Sequence, residues 1–139
     1  MKAKQIKTKE ELDALWGQLA PLFHASMTRG TDNHISPDDI YVATSKGACH
    51  IFYVLEDDGS VPLALAMEPL NASRGLTYLI IALGGHDLDK YYDAFWSDVC
   101  IWMRLNGAVA VEGLVRPAMR RWLTKYGFTP VCTQMRLSL

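Results

Sequence analysis

Residues 77–128 decide the fold. They read TYLIIALGG (Thr77–Gly85), DLDKYYDAFWSDVCIWMRLN (Asp87–Asn106) and AVAVEGLV (Ala108–Val115), then a segment from Pro117 to Tyr126 that closes on RRWLTKYGF (Arg120–Phe128). Thr77 to Leu83 is almost wholly apolar, as expected of a strand covered on both faces. Leu88, Tyr91, Tyr92, Phe95, Val99, Trp102 and Met103 share one stripe at helical spacing. Asn106-Gly107 is a helix stop, after which Ala108–Val115 returns as a strand. An apolar strand, a long helix and a second apolar strand make a right-handed parallel crossover. Pro117 opens a last helix, faced by Met119, Trp122, Leu123 and Tyr126 and ended by Gly127.

Working outward, Lys4–Lys7 reads as a short first strand. Thr8 with Glu11 three residues on forms a capping box. The helix behind it is faced by Leu12, Leu15, Trp16, Leu19 and Leu22, and Pro21 is expected to end or kink it near Ala20. Thr28–Ile35 has loop composition. Ser36-Pro37-Asp38-Asp39 starts a short second helix that stops by Lys46-Gly47. Ala48–Leu55 and Val61–Met67 are strands joined by the turn EDDGS (Glu56–Ser60), and Asn71–Gly75 is a second turn. Thr129–Leu139 (TPVCTQMRLSL) is expected to be a final strand.

A length of 139 residues is one domain's worth, and half of them are hydrophobic, enough for a core without staples. Lys plus Arg number 14 against 15 Asp plus Glu, a balance that argues against a nucleic-acid binder. The 3 cysteines, Cys49, Cys100 and Cys132, have neither zinc-site nor CxxC spacing. They read as buried thiols of a reducing compartment, the cytoplasm. MKAKQIKTKEE lacks the apolar run of a signal peptide, and no run approaches the ~20 residues of a membrane span. His24, His34 and Asp32 surround Gly30 without a third ligand at metal-site spacing, so no metal is expected. His50 follows Cys49 but faces the other side of its strand.

The element order, with the Gly127-Phe128 ending and Lys125 before it, resembles the GNAT superfamily of N-acetyltransferases over nearly the whole chain. In that pattern Arg116 stands at the usual Asn, Met119 at the Ala, Trp122 at the Leu and Leu123 at the Tyr. The resemblance implies an α/β fold: a three-layer sandwich whose mixed, twisted sheet splays after the long strand. It also implies acetyl-CoA as co-substrate and direct attack of a substrate amine, of a small molecule or a protein, on the thioester. Backbone at Ala82 and Leu83 would then hold the carrier, and the loop Gly84, Gly85, His86, Asp87 would meet its diphosphate.

Two departures stand out. The family's Arg/Gln-x-x-Gly-x-Gly/Ala loop is replaced by Leu83-Gly84-Gly85-His86-Asp87-Leu88, which lacks the Arg and adds Asp87 and Asp89. Like charges about 4 Å apart in a partly screened site cost about 4 kcal/mol. The Tyr that protonates the departing thiolate is Leu123 here, leaving Tyr126 as a substitute acid.

Several residues carry two readings. Gly84-Gly85 is a phosphate loop or a tight turn, and His86 a general base or a solvated helix-start residue. Glu112, late in its strand, is a general base acting through water or a partner of Arg116. Arg116 and Arg120 share a helical face that meets a phosphate or neighbouring acids. The alternative to catalysis is a binding or assembly protein on the same fold, similar to phage virion components with a degenerate loop. Apolar strand content near the C-terminus permits a homodimer.

Overall fold

The structure, a computed structural model, describes residues 3–29, 35–115 and 117–139. Its elements are β1 (Lys4–Gln5), α1 (Lys9–Arg29), α2 (Pro37–Ser45), β2 (His50–Val54), β3 (Leu63–Ala72), β4 (Gly75–Gly85), α3 (Leu88–Leu105), β5 (Ala108–Gly113) and α4 (Pro117–Thr124). The strands form one sheet in the order β1-β2-β3-β4-β5. The first three pairings are antiparallel, and β4 pairs β5 in parallel. The sheet is thus mixed, as expected, with the parallel crossover carried by α3.

Two apolar clusters make the three layers. On one face α1 and α2 pack Leu12, Leu19, Phe23 and Ile40 against Ile51, Tyr53, Ala64 and Ala66. On the other, Tyr92, Phe95, Val99 and Met103 of α3 pack against Phe52, Val54, Leu65 and Met67. Trp122 and Tyr126 lie against this second cluster. At α1 half of the box forms: the Glu11 N–H donates to Thr8 Oγ1 at 3.1 Å, while the Glu11 carboxylate reaches one residue further back and accepts from the Lys7 N–H at 2.9 Å. The ending of α4 is a Schellman motif. Phe128 N–H donates to the Leu123 carbonyl at 3.3 Å and Gly127 N–H to that of Thr124 at 3.1 Å. Gly127 supplies the required left-handed turn, with φ of 86°.

Three expectations are corrected. First, α1 runs through Pro21 as a single 21-residue helix. A helix-interior proline costs about 3 kcal/mol. Leu19 and Phe23, both fully buried, return about 1.5–3 kcal/mol each by leaving water. Packing therefore outweighs the lost hydrogen bond. Second, residues 129–139 form no strand and are all exposed. Their alternating pattern is right for a strand, but a strand is held by face packing and edge pairing rather than by propensity. Among the described residues nothing covers that apolar face. Third, of the three thiols only Cys49 is buried; Cys100 is half-buried and Cys132 exposed.

One irregularity shapes the centre. Ala66 pairs Ala82 and Met67 pairs Ile80, so Ile81 is an extra residue in β4. Ile81 and Ala82 both pack towards α1. Such a bulge bends its strand and strengthens the local twist.

Candidate active site

The ladder between β4 and β5 runs from Leu76↔Ala108 to Ile80↔Gly113. There β5 stops, while β4 continues through the bulge to Gly85. Among the described residues no strand lies beside β4 past Ile80 on that side. The expected wedge is therefore open from Ile81 onward. An open cavity of about 390 Å³ lies at its mouth. Ile80, Gly113 and Leu114 line it from the sheet, Arg120, Leu123 and Thr124 from α4, and residues 128–134 from the tail.

Leu123, at the family's Tyr position, is buried on this cavity. Tyr126 is not part of the lining. Its hydroxyl donates to Asp93 Oδ1 at 2.7 Å, and its ring lies 4.7 Å from that of Tyr92. The Asp93 hydrogen bond, with burial and the nearby carboxylates, pushes the phenol up to about 12. Arg120 does reach the cavity, whereas Arg116 lies outside the described residues, as do His34 and Asp32.

The two glycines prove to be strand, not loop. Gly84 pairs Ala64 and Gly85 pairs Leu63. A Cβ on Gly84 would sit 2.1 Å from the Leu22 carbonyl oxygen, and one on Gly85 2.5 Å from that of Pro62. They let α1 and β3 approach β4 closely. The connection to α3 is thus only His86-Asp87. Asp87 takes left-handed backbone, φ 55°, and caps α3 with no side-chain bond to its first turn. His86 Nδ1 lies 3.6 Å from Asp87 Oδ2, and both side chains are exposed. A second, wider cavity of about 780 Å³ runs from Gly85–Lys90 to Met119 and Trp122 of α4.

Ala82 is buried, and the Leu83 N–H is occupied, donating to Ser26 Oγ of α1 at 3.3 Å. Nothing in the sequence pointed to Ser26. Glu112 pairs Leu79 in register and is exposed. Leu79 in turn pairs Glu68 on β3, so the two glutamates flank it across the sheet. Cys49 and His50 do face opposite sides. Burial pushes the Cys49 thiol up to about 11, whereas His50, lowered by burial, packs edge-on to Trp102 at 5.1 Å.

No protein-family model and no curated sequence matches this chain. Solved structures do match it. A ribosomal-protein-alanine N-acetyltransferase from Brucella melitensis biovar Abortus superposes with a TM-score of 0.73 at 8% identity, covering 100% of both chains. A GNAT family acetyltransferase from Staphylococcus aureus gives 0.67 at 11% identity, again over 100% of each chain. The fold is that of the GNAT acetyltransferases. An aminoglycoside acetyltransferase from a soil metagenomic sample, crystallised with sisomicin, gives 0.72 at 11% identity, over 99% of this chain and 95% of its own. In this GNAT fold the Leu123 cavity lies at the mouth of the wedge, and α4 lines both it and the wider cavity at the start of α3. No helix among the described residues is long and apolar enough to cross a membrane.

Proposed function

We propose that this chain transfers an acetyl group from acetyl-CoA to an amine. The observation that carries it is the ladder that ends at Ile80 while β4 runs on to Gly85. Strands pair about 4.8 Å apart, so a sheet edge bared by the end of its neighbour takes one further extended chain. The amide-bearing arm of a coenzyme A thioester has that form. When bound, the thioester supplies an acyl carbon already activated towards an amine.

The chain's own residues divide the remaining work. Ile80 and Leu123 give the cavity an apolar wall that keeps water from the thioester. Gly113, without a side chain, leaves the mouth open beside Ile80. Glu112, on the exposed end of β5, takes the amine's proton through water. Leu123 has no proton to give. The Tyr126 hydroxyl is donated to Asp93 and lies off the cavity lining, so the thiol departs as the thiolate, its proton balance made up by the solvent.

The diphosphate end fits less well. The α3 N-terminus is free of a side-chain cap and attracts an anion, but Asp87 and Asp89 oppose one. The expected result is modest affinity, in the high-micromolar range or weaker. Titration calorimetry and melting with millimolar acetyl-CoA test it, followed by thiol release in the presence of simple amines and aminoglycosides. Absence of heat, of a melting shift and of thiol release leaves a chain that keeps the fold without its chemistry.

A further inference from the structure

Past the end of β5, β4 turns some of its main-chain groups into the wedge, and the register says which. The His86 N–H donates to the Pro62 carbonyl at 3.0 Å, next to the pairs Leu63↔Gly85, Ala64↔Gly84, Leu65↔Leu83 and Ala66↔Ala82. In an antiparallel ladder, bonded and non-bonded pairs alternate. Pro62 with His86, Ala64 with Gly84 and Ala66 with Ala82 are therefore the bonded ones. The N–H groups of Leu83 and Gly85 point away from β3. β5 has ended at Gly113, opposite Ile80, so no strand among the described residues meets them.

α1 reaches this edge instead. Gly84 has no side chain, and the Leu22 carbonyl comes so close that a Cβ there would lie 2.1 Å from its oxygen. One helical turn on, half-buried Ser26 takes the Leu83 N–H on its Oγ at 3.3 Å. Other helix hydroxyls of this chain behave differently. Thr44, Ser45 and Thr124 donate to the carbonyl four residues back, at 2.7, 2.9 and 2.8 Å. Ser26 makes no such bond, and among the described residues its proton has no acceptor. No base among them bonds to it either, so it is equipped as a hydrogen-bond donor and not as a nucleophile.

We infer that Ser26 holds the acyl group: its Oγ accepts from the Leu83 N–H, and its O–H donates to the thioester carbonyl oxygen of acetyl-CoA. This rests on the proposed acetyl transfer. A hydroxyl that accepts one hydrogen bond is polarised to donate a stronger one. The main-chain donor is thus handed on by one side chain towards α1, with no proton transferred. Leu123 brings no polar atom to the cavity; Ser26 brings one to the wedge from the α1 layer.

Titration calorimetry of the full chain with acetyl-CoA, and with CoA, which has no acyl carbonyl, tests this. Hydrogen exchange at the Leu83 amide of the free protein, followed by NMR, tests the contact itself. Ser26→Ala is expected to weaken acetyl-CoA binding about three- to tenfold, the range for one net hydrogen bond, and to leave CoA binding unchanged. The Leu83 amide is expected to exchange faster by a similar factor. Ser26→Thr, which keeps the hydroxyl, is expected to restore both. Near-UV circular dichroism checks that the variants are folded. An unchanged Leu83 amide, equal losses for the two ligands, or tighter acetyl-CoA binding by Ser26→Ala (the mark of a hydroxyl that only blocks the edge) overturns the inference and leaves acetyl transfer standing. Absence of heat from the wild type with either ligand overturns both.

Discussion

The two flanks of the sheet start from similar sequence and end differently. On one side, ACHIFYVL gives β2, and Ile51 to Val54 and Leu63 to Met67 are all buried. On the other, AVAVEGLV gives β5, with no buried residue. Apolar, β-branched composition makes a strand in both places. The difference lies in the layers. α1 and α2 cover β2 and β3 from one side and α3 from the other, whereas α1 does not extend over β5. Burial thus follows coverage rather than hydrophobicity, and the uncovered flank is where a ligand chain or a second protein has room.

The sharpest break in this comparison is a truncation on each flank. Phe95→Ala empties a fully buried site between α3 and the sheet. It is expected to cost about 3–5 kcal/mol in urea unfolding. Val109→Ala, on the exposed strand, is expected to stay within about 0.5 kcal/mol. Comparable losses at both positions would show that the β5 flank is buried in solution.

A smaller effect separates two glycines of the covered flank. Gly84→Ala forces a Cβ against the Leu22 carbonyl, and backbone cannot swing aside as a side chain does. A loss of about 1–3 kcal/mol is expected. Gly17→Ala, in mid-helix with open space around it, is expected to gain about 0.5–1 kcal/mol. A neutral Gly84→Ala would mean that α1 does not press on β4, and that the glycine serves some other purpose.

The same contrast explains what could be read in advance. The parallel crossover, the Thr8 cap and the stripe from Leu88 to Met103 are local patterns, and all three are present, though Glu11 accepts from Lys7 rather than from Thr8. Pro21 misled because a local penalty was weighed without the packing of Leu19 and Phe23 that exceeds it. Gly84-Gly85 pointed to a loop because glycine pairs usually mark turns. Here they are required by the approach of α1, a contact between residues far apart in sequence. The tail shows a strand pattern but pairs with no strand among the described residues. At the site, Leu123 lines the cavity, whereas the Tyr126–Asp93 bond and Ser26 under Leu83 are tertiary facts with no sequence signal.

Thiol reactivity sharpens the comparison further. Cys132 on the open flank is expected to react with a disulfide reagent at about pH 8 within minutes. Cys100, half-buried and raised, should follow more slowly, and Cys49, buried and raised to about 11, should wait for unfolding. Fast modification of Cys49 would mean that the α1 layer opens readily.

The smallest expected effect is the most informative about chemistry. Tyr126→Phe removes one exposed hydrogen bond to Asp93 and leaves the edge-on ring contacts with Tyr92 and Trp122 in place. Because folding raises this phenol, the bond contributes fully below about pH 10, the ordinary tyrosine value, and is lost as pH climbs towards 12. The wild type and the variant should therefore differ slightly in melting temperature at neutral pH and converge above that window. Cys49 titrates through part of the same range in both proteins, so only the difference between them reports on Tyr126. With any amine that proves to be a substrate, kcat should change less than twofold. A drop of 10²–10⁴-fold, the span for loss of a general acid, would place Tyr126 in the reaction. The Asp93 contact would then have to break when substrate binds.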